Sequence, residues 1–217
     1  VMTDMPGLMV RFEREQRLPW RTRIATGIIK WCLNNFKKYV FLTEAMNVVN
    51  ERKRPYIVME GMSDRFMATY KRPFEAKDIK VVMYAGGLHE RYGLKKLTEA
   101  FMMLPQENFR LKLFGSGPFV EKLKTKYTKK DSRIQYMGVA PNAEVVAAEL
   151  DASLLVNPRP THEEFTKYSF PSKNIEYMAS GTPLLTTKLP GMPKEYYPYV
   201  FLIENESVEG YAKALES

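Results

Sequence analysis

From residue 79 onward the chain repeats one pattern, in which a short apolar run is followed by a turn rich in Gly, Pro or Asn and then by an amphipathic stretch. This order is typical of β-strands that alternate with helices around a parallel sheet. The amphipathic stretches carry apolar residues three or four positions apart, as at Leu94, Leu97 and Phe101. We therefore predict an α/β fold whose parallel sheet is flanked by helices. The six predicted strands are residues 80–85, 111–114, 133–137, 152–156, 182–186 and 199–203.

Several residues predict where the helices begin and end. Asn142 is a suitable N-cap, and Pro171 suits the first turn of the helix that follows it. Gly181 suits a helix end. The last helix is expected to begin near Ser207 and to be cut short at Ser217.

The first sixty residues have a different pattern. Residues 40–43 and 56–59 are predicted strands, with a helix from Glu44 to about Asn50 between them. Residues 17–38 are predicted to be helical, with a break near Pro19. Two strands do not form a stable sheet alone, so this piece is expected to be the end of an α/β domain whose beginning is missing.

The expected domain boundary lies between residues 62 and 63. Residues 1–62 would be the end of an amino-terminal, acceptor-side domain with the interdomain segment, and residues 63–217 would be most of a second domain. Residues 63–78 are charged and lack a clear period, which favours a linker.

Composition excludes several classes of protein. With 45% apolar residues in 217, the chain can form a buried core, which excludes disordered and collagen-like proteins. Its apolar runs are far shorter than the ~20 residues that span a bilayer. Cys32 is the single cysteine, so no internal disulfide can form and a reducing, cytoplasmic compartment is favoured.

Metal and acyl-transfer motifs are missing from the sequence. There is no Asp-x-Asp pair, P-loop, Gly-x-Ser-x-Gly elbow or Cys/His cluster, so we expect no metal and no cofactor. His89 and His162 have no evident partners, and we assign them no role.

The excess of basic residues is local. The net charge is +8, yet residues 1–72 hold 14 basic and 7 acidic side chains while residues 73–217 hold 19 and 18. Between residues 11 and 38 basic side chains alternate with Trp, Ile and Phe, as in helices that lie on anionic membranes. The alternative, which we favour from the sequence, is a helix that buries its apolar face and directs its charges to water.

Three turns follow predicted strands at the edge where open parallel sheets bind ligands. Residues 86–93 and 115–118 are rich in glycine, and a third connection leads into a helix that starts at residues 171–173. A helix start with Lys173 suits a phosphate, and Glu176 could accept hydrogen bonds from a ribose diol. Each feature alone also fits an ordinary turn or a solvated side chain.

Four motifs occur in an order that strengthens this interpretation. They are Tyr-Ala-Gly-Gly-Leu at 84–88, Phe-Gly-Ser-Gly-Pro at 114–118, Met-Gly-Val at 137–139, and the run from Tyr168 to Pro183. Their succession resembles the carboxyl-terminal half of retaining nucleotide-sugar glycosyltransferases of group 1, or family 4. These enzymes have two facing Rossmann-like domains, the GT-B arrangement. The resemblance covers roughly residues 37–217 and is most specific from 169 to 183.

The resemblance implies an activity and its partners. The protein would move a sugar from a nucleotide-diphosphate sugar to an acceptor glycan or lipid-linked sugar, with retention of configuration and without a metal. The reaction would serve bacterial cell-surface polysaccharide or glycolipid assembly, in the cytoplasm or at the inner face of the cell membrane. Because the family's acceptor site and usual catalytic histidine belong to the first domain, this chain alone is expected to bind donor without efficient turnover.

The resemblance also assigns roles to individual residues. Glu176 matches the second glutamate of the family's paired-glutamate motif, which holds the donor ribose, and Val139 lies where family backbones meet the base. The expected catalytic residues are Lys173, Glu176 and Arg159, and the expected donor-binding residues are Gly86, Gly87, Arg91, Gly115, Gly117, Val139, Tyr168 and Ser172.

The sequence departs from the family pattern at charged positions. The first glutamate of the pair is here Tyr168, and an arginine and a lysine of the glycine-rich loop are Gly87 and Tyr92. The phosphate charges would then have to come from Arg91, Arg159 or Lys173. Glu163 and Glu164 lie just upstream of Tyr168 as further carboxylates.

Three alternatives remain open from the sequence. The departures fit a catalytically silent relative that binds a nucleotide or a partner protein. The basic stretch at residues 11–38 fits a nucleic-acid-binding module, although nucleic acid is not our expected partner. A nucleotide-sugar epimerase or a phosphorylase would share the fold.

Overall fold

The computed structural model describes residues 6–63, 67 and 78–216, which pack into two compact units. The first unit contains the described residues up to 61 together with 161–171 and 189–193. The second contains the other described residues. These units divide the chain differently from the predicted domains, which stay a prediction, and most of the predicted linker at 63–78 lies outside the described residues.

The first unit contains a small parallel sheet and several short helices. Strands β1 (Tyr39–Phe41) and β2 (Tyr56–Val58) pair in parallel, close to their predicted positions. The helix predicted from Glu44 to about Asn50 is present as a 3-10 helix over Glu44–Val49.

Two α-helices precede that sheet. Helix α1 (Pro6–Glu13) was not predicted, and helix α2 (Trp20–Leu33) begins directly after Pro19, where the break was expected. Proline fixes φ and has no N–H to donate, which favours a helix start just after it. Further 3-10 helices cover Glu15–Arg17 and Glu164–Tyr168.

One apolar cluster forms the core of the first unit. It joins residues that are far apart in sequence, because the 3-10 helix ending at Tyr168 packs among side chains from the first fifty residues. Its buried members are Met9, Phe12, Leu33, Tyr39, Phe41, Leu42, Met46, Val49 and Tyr168.

A six-stranded, wholly parallel sheet forms the second unit and confirms the predicted fold class. The strand order is β5-β4-β3-β6-β7-β8. All six predicted strands are present, with ends shifted by up to two residues. Their bounds are β3 Lys80–Ala85, β4 Phe109–Phe114, β5 Ile134–Gly138, β6 Leu154–Asn157, β7 Leu184–Thr187 and β8 Phe201–Ile203.

Helices cover both faces of this sheet. Along β3, Val82 and Tyr84 belong to one buried apolar cluster while Met83 and Ala85 belong to another, as the two-residue period of a strand requires. The helices are α3 Leu94–Met102, α4 Phe119–Lys122, α5 Thr128–Lys130, α6 Asn142–Asp151, α7 Ser172–Ser180 and α8 Val208–Glu216, with a π-helical turn at Leu123–Tyr127 between α4 and α5. None of the helices in the described part of the chain is long and apolar enough to cross a bilayer.

The predicted helix boundaries need two corrections. Pro141 occupies the N-cap of α6, so Asn142 is the first helical residue and not the cap. Pro171 directly precedes α7, which opens at Ser172. The glycine expected at the end of α7, Gly181, has a φ of +75° there.

The order of the strands places a crevice in the second unit. From β3 the chain moves through β4 to β5 on one side of the sheet, and β6, β7 and β8 then fill the other side. Connections that leave the neighbouring strands β3 and β6 therefore diverge beyond Ala85 and Asn157. Such a switch point is where open parallel sheets bind ligands.

Candidate functional site

The loops that follow β3 and β4 are packed together through their backbones. Leu88 N–H donates to Ser116 O at 2.8 Å, and Phe119 N–H donates to Leu88 O at 3.0 Å. A Cβ at Gly115 would lie 1.9 Å from Gly86 O, and a Cβ at Gly117 would lie 2.3 Å from Leu88 O. Both positions therefore require glycine for this packing, whatever they contribute to a ligand.

The start of the loop after β3 is held by a side chain of the strand and is exposed at Gly87. The hydroxyl of Tyr84 donates to Gly87 O at 3.1 Å, which fixes the backbone at the predicted Gly86-Gly87 pair. Gly87 itself is exposed. Burial raises the pKa of Tyr84 to about 12, so this hydroxyl keeps its proton and acts as a donor.

Two arginines meet on one tyrosine ring in this loop. The guanidinium carbon of Arg159 lies 4.8 Å from the ring centroid of Tyr92, and that of Arg91 lies 5.1 Å from it. The ring of His89 is 5.1 Å from the same ring. Burial lowers the pKa of Arg159, and the nearby positive charge of Arg91 acts in the same direction. Two mutually repelling guanidinium groups at a switch point form a suitable place for an anion.

The backbone at Arg159 is anchored on both sides. Its carbonyl oxygen accepts a hydrogen bond of 2.5 Å from Thr187 Oγ1, and Pro158 O accepts one of 2.8 Å from the Tyr211 hydroxyl. The side chain of Arg159 thus extends from a backbone segment that β7 and α8 hold in place.

The start of α7 is fixed by a buried polar network that sequence reasoning missed. Asn157 Nδ2 donates to Asn174 Oδ1 at 2.5 Å, and Asn174 Nδ2 donates to Thr186 Oγ1 at 3.4 Å. The hydroxyl of Thr186 donates in turn to Asn157 O at 3.1 Å. The network ties the first turn of α7 to the ends of β6 and β7.

Tyr177 joins α7 to the end of β3. The backbone N–H of Ala85 donates to the Tyr177 hydroxyl at 2.9 Å, and this hydroxyl donates to Ala85 O at 3.2 Å. The register pairs of β3 and β6 end at Met83 and Leu155, so the tyrosine hydroxyl bonds backbone groups beyond the part of β3 that pairs with β6.

Two carboxylates surround the ammonium group of Lys173. Its Nζ lies 2.7 Å from Glu176 Oε2 on the same helix and 3.4 Å from Glu149 Oε1 on α6. Glu149 has no exposed side-chain surface, and burial raises its pKa to about 7. The two predicted residues Lys173 and Glu176 are therefore together, but with a third, unpredicted partner.

The remaining predicted residues fall into two groups. Val139 is 75% exposed after β5, and Ser172 is exposed at the first position of α7, so both are accessible to a ligand. Tyr168 instead has no exposed surface and belongs to the core of the first unit. Its expected contact with the donor is unsupported, because a buried core side chain presents no surface to a ligand.

The carboxylates upstream of Tyr168 also lie in the first unit. Glu164 forms an ion pair with Arg14, and Lys167 Nζ lies 2.6 Å from Glu13 Oε1. Lys167 lowers the pKa of Glu13 through this contact. Across residues 6–63, 67 and 78–216, no three His, Cys, Asp or Glu side chains are grouped so that they could hold a metal ion.

The sheet, the glycine-rich loops and α7 all lie within a stretch shared with one protein family. Residues 79–217 match the family model described as Glycosyl transferases group 1. The match covers more than half of the chain, and the chain belongs to this family.

Particular relatives agree with that assignment. The chain is 30% identical over 112 residues to the putative colanic acid biosynthesis glycosyltransferase WcaL of Escherichia coli (strain K12), a match that covers 49% of this chain and 27% of that protein. Its fold is similar to sucrose-phosphate synthase from Thermosynechococcus elongatus, with a TM-score of 0.72, 20% identity and coverage of 99% of this chain and 57% of that one. A structure of S. aureus TarM in complex with fondaparinux, alpha-GlcNAc-glycerol and UDP gives a TM-score of 0.65 at 15% identity, with coverage of 87% and 38%. The chain thus spans between about a quarter and somewhat more than half of the length of these proteins.

Proposed function

We propose that the second unit binds a nucleotide-diphosphate sugar and that the protein is a glycosyltransferase that retains the configuration of the sugar. The observation that carries the proposal is the pair of guanidinium groups, Arg91 and Arg159, on the ring of Tyr92 at the switch point of the sheet. The UDP in the complex of the structural relative TarM supports this class of ligand.

The chemistry of the leaving group explains why this pair matters. When a nucleoside diphosphate leaves an anomeric carbon, negative charge develops on its phosphate oxygens. The guanidinium groups of Arg91 and Arg159 would meet that charge, and a bound diphosphate would relieve the repulsion between them. We propose that the site works without a metal for this reason.

Other residues at the same edge of the sheet complete the proposed donor site. The Glu176 carboxylate, in the first turns of α7, would accept hydrogen bonds from the ribose diol. The exposed Val139, at the end of β5, would contact the base. The N–H groups at the start of α7 and the hydroxyl of Ser172 would face the phosphates.

The acceptor is proposed from the relatives. The name of WcaL refers to biosynthesis of colanic acid, which supports a role in polysaccharide or glycolipid assembly and an acceptor that is a glycan or a lipid-linked sugar. Cys32 is exposed and forms no disulfide, which agrees with a cytoplasmic protein.

A catalytically silent, nucleotide-binding relative is the second candidate. The specific observation in its favour is that Lys173 already contacts two carboxylates and so offers little net charge to a phosphate. Transfer of labelled sugar to an acceptor by the full-length protein separates the two: turnover above a no-enzyme control supports the transferase, and donor binding without turnover supports the silent relative.

Calorimetric titration of the chain with UDP, GDP and ADP tests the donor site. We expect saturable binding of one diphosphate, and a loss of about tenfold or more in Arg159→Gln, because a charge-assisted hydrogen bond contributes ~1.5–3 kcal/mol. Glu176→Ala should also weaken binding. The exposed Lys129→Gln on α5 removes one charge elsewhere in the unit and should leave the Kd unchanged. Binding of a short RNA in place of every nucleotide would contradict the proposal.

We further propose that α2 of the first unit contacts an anionic membrane surface. Its four most exposed apolar residues are spaced by four, four and three positions and so share one face. Arg21 and Arg23 lie beside that face, and α2 contains no acidic residue. The four apolar residues are Trp20 (68% exposed), Ile24 (57%), Ile28 (58%) and Trp31 (65%). Such a helix lies in the interface between water and acyl chains.

Co-sedimentation with vesicles tests the membrane contact. The chain should bind vesicles that contain phosphatidylserine and should bind phosphatidylcholine vesicles weakly, and Ile24→Ser should reduce binding. Ile57→Ser, at a similarly exposed isoleucine of β2, is the matched control. Equal binding of both variants, or self-association through α2 in the absence of lipid, would refute a lipid surface as the partner.

A further inference from the structure

Glu149 is a buried acid for which the proposed mechanism has no use. It lies near the end of α6 and has no exposed surface, and its neighbours along the chain, Val145, Ala148 and Ala152, pack against a buried apolar cluster. One carboxylate oxygen, Oε1, is 3.4 Å from Lys173 Nζ. The other, Oε2, is buried and has no hydrogen-bond partner among the residues that the structure describes. A buried carboxylate with one oxygen unsatisfied is costly, so its presence calls for an explanation.

The surroundings of Glu149 connect it to Glu176. The titratable groups that face it are Lys173, Glu176 and Tyr177, all on α7. The positive charge of Lys173 favours the ionised form of Glu149. Burial, most strongly, and the negative charge of Glu176 disfavour that form. From the β7 side, Thr182 Oγ1 donates to the backbone oxygen of Glu149 and does not titrate. One ammonium group therefore serves two carboxylates, one buried and one partly exposed.

We propose that Glu149 is a positioning residue, which controls through Lys173 how strongly Glu176 can accept hydrogen bonds from the donor and makes donor binding depend on pH. The inference rests on the proposed function, in which Glu176 contacts the ribose. Glu149 does not touch the donor and acts only by competing for the ammonium group.

The direction of the effect follows from charge. When Glu149 is protonated, Lys173 has one anionic neighbour, and the 2.7 Å contact with Glu176 occupies the carboxylate that the ribose needs. When Glu149 is ionised, the ammonium is shared between two anions, and Glu176 becomes a stronger acceptor for the diol. Because the pKa of Glu149 is raised to about 7, this exchange takes place near neutral pH. Donor binding should strengthen as the pH rises from 6 to 8 and should release a proton near pH 7.

Calorimetry of the chain with the sugar ester of the nucleotide that binds in the first titration provides the test. The sugar ester is used because it lacks the terminal phosphate monoester, whose second ionisation near pH ~6 would confuse the result. The Kd of the wild type should fall about fivefold or more between pH 6 and pH 8. Repeating the titration at pH 7 in two buffers of different ionisation enthalpy gives the number of protons released.

Glu149→Gln keeps the shape of the side chain but cannot ionise. It should bind donor at every pH as weakly as the wild type does at pH 6, without proton release. Glu144→Gln makes the same change at an exposed position in the first turn of α6 and should behave like the wild type. A contribution from any other titratable group would persist in both variants, so the difference between them isolates Glu149.

The outcomes distinguish this inference from the function on which it rests. If the wild type binds donor with the same Kd at pH 6 and pH 8, or if Glu149→Gln shows the same pH dependence as Glu144→Gln, the inference is overturned while the donor site stands. If no nucleotide sugar binds at either pH, the proposed function falls and the inference falls with it.

Discussion

Removing the charge of Glu149 should stabilise the protein, and the gain should depend on pH. The pKa of this carboxyl is raised from 4.5 to about 7 in the folded chain, mainly by burial. The folded state therefore holds the proton more tightly than the unfolded state. The associated stability is fully present below about pH 4.5 and is lost as the pH rises through 7.

The size of the loss follows from the same two values. A pKa difference of one corresponds to ~1.4 kcal/mol, so the change from 4.5 to about 7 corresponds to ~3 kcal/mol. Gln is neutral at every pH and does not incur this loss. At pH 8 the Glu149→Gln variant should be more stable than the wild type by up to ~3 kcal/mol, whereas near pH 5 the difference should be below ~1 kcal/mol.

Urea denaturation at pH 5, 6, 7 and 8, followed by circular dichroism, measures this difference. Glu144→Gln, on the same helix but exposed, should show no such trend. If the difference between Glu149→Gln and the wild type does not grow with pH, or if the variant is less stable at pH 8, the carboxylate is not held in an unfavourable environment and the reasoning fails. If Glu149→Gln is more stable than the wild type and also binds donor more weakly, then the wild type sacrifices stability at Glu149 for donor binding.

Three further predictions concern the same unit. Gly115→Ala should destabilise the chain by ~3 kcal/mol or more in urea denaturation, because its Cβ would meet Gly86 O at 1.9 Å, and an unchanged midpoint would contradict the loop packing. Tyr177→Phe should cost ~1–3 kcal/mol because it leaves the N–H and C=O of Ala85 without a partner, and a cost near zero would contradict the two hydrogen bonds. In nucleotide titrations Arg91→Gln should weaken binding less than Arg159→Gln, since Arg91 is exposed and its charge is better screened, and the reverse order would argue against Arg159 as the main phosphate contact.

Local patterns predicted the second unit well. Each strand is a short apolar run, and each longer helix has apolar residues at helical spacing. The parallel sheet could therefore be predicted from residues that are close together in the sequence. The edge of the sheet that carries the candidate site also followed, because carboxyl ends of parallel strands coincide. Helix α1 was missed because its apolar and polar residues do not separate clearly along eight residues.

What depends on distant packing could not be predicted. Tyr168 lies at a family motif position, yet its ring is buried among residues from the first fifty positions, which no local pattern reveals. The stacking of Arg159 on Tyr92 joins residues 67 positions apart. Glu149 did leave one signal, since it lies four residues after Val145 on the side of α6 that packs inward. A carboxylate in an apolar stripe predicts a buried acid, and this signal was available.

The buried amides of Asn157 and Asn174 have a consequence for the thermodynamics of ligand capture. Because they hold the first turn of α7 to the sheet, the helix end is already ordered when the chain folds. A ligand arriving there need not immobilise a loop, so the entropy that binding would otherwise lose has already been lost during folding. Binding of a ligand at the start of α7 should consequently be accompanied by a small change in conformational entropy. Its association rate constant should approach the limit set by diffusion and charge steering.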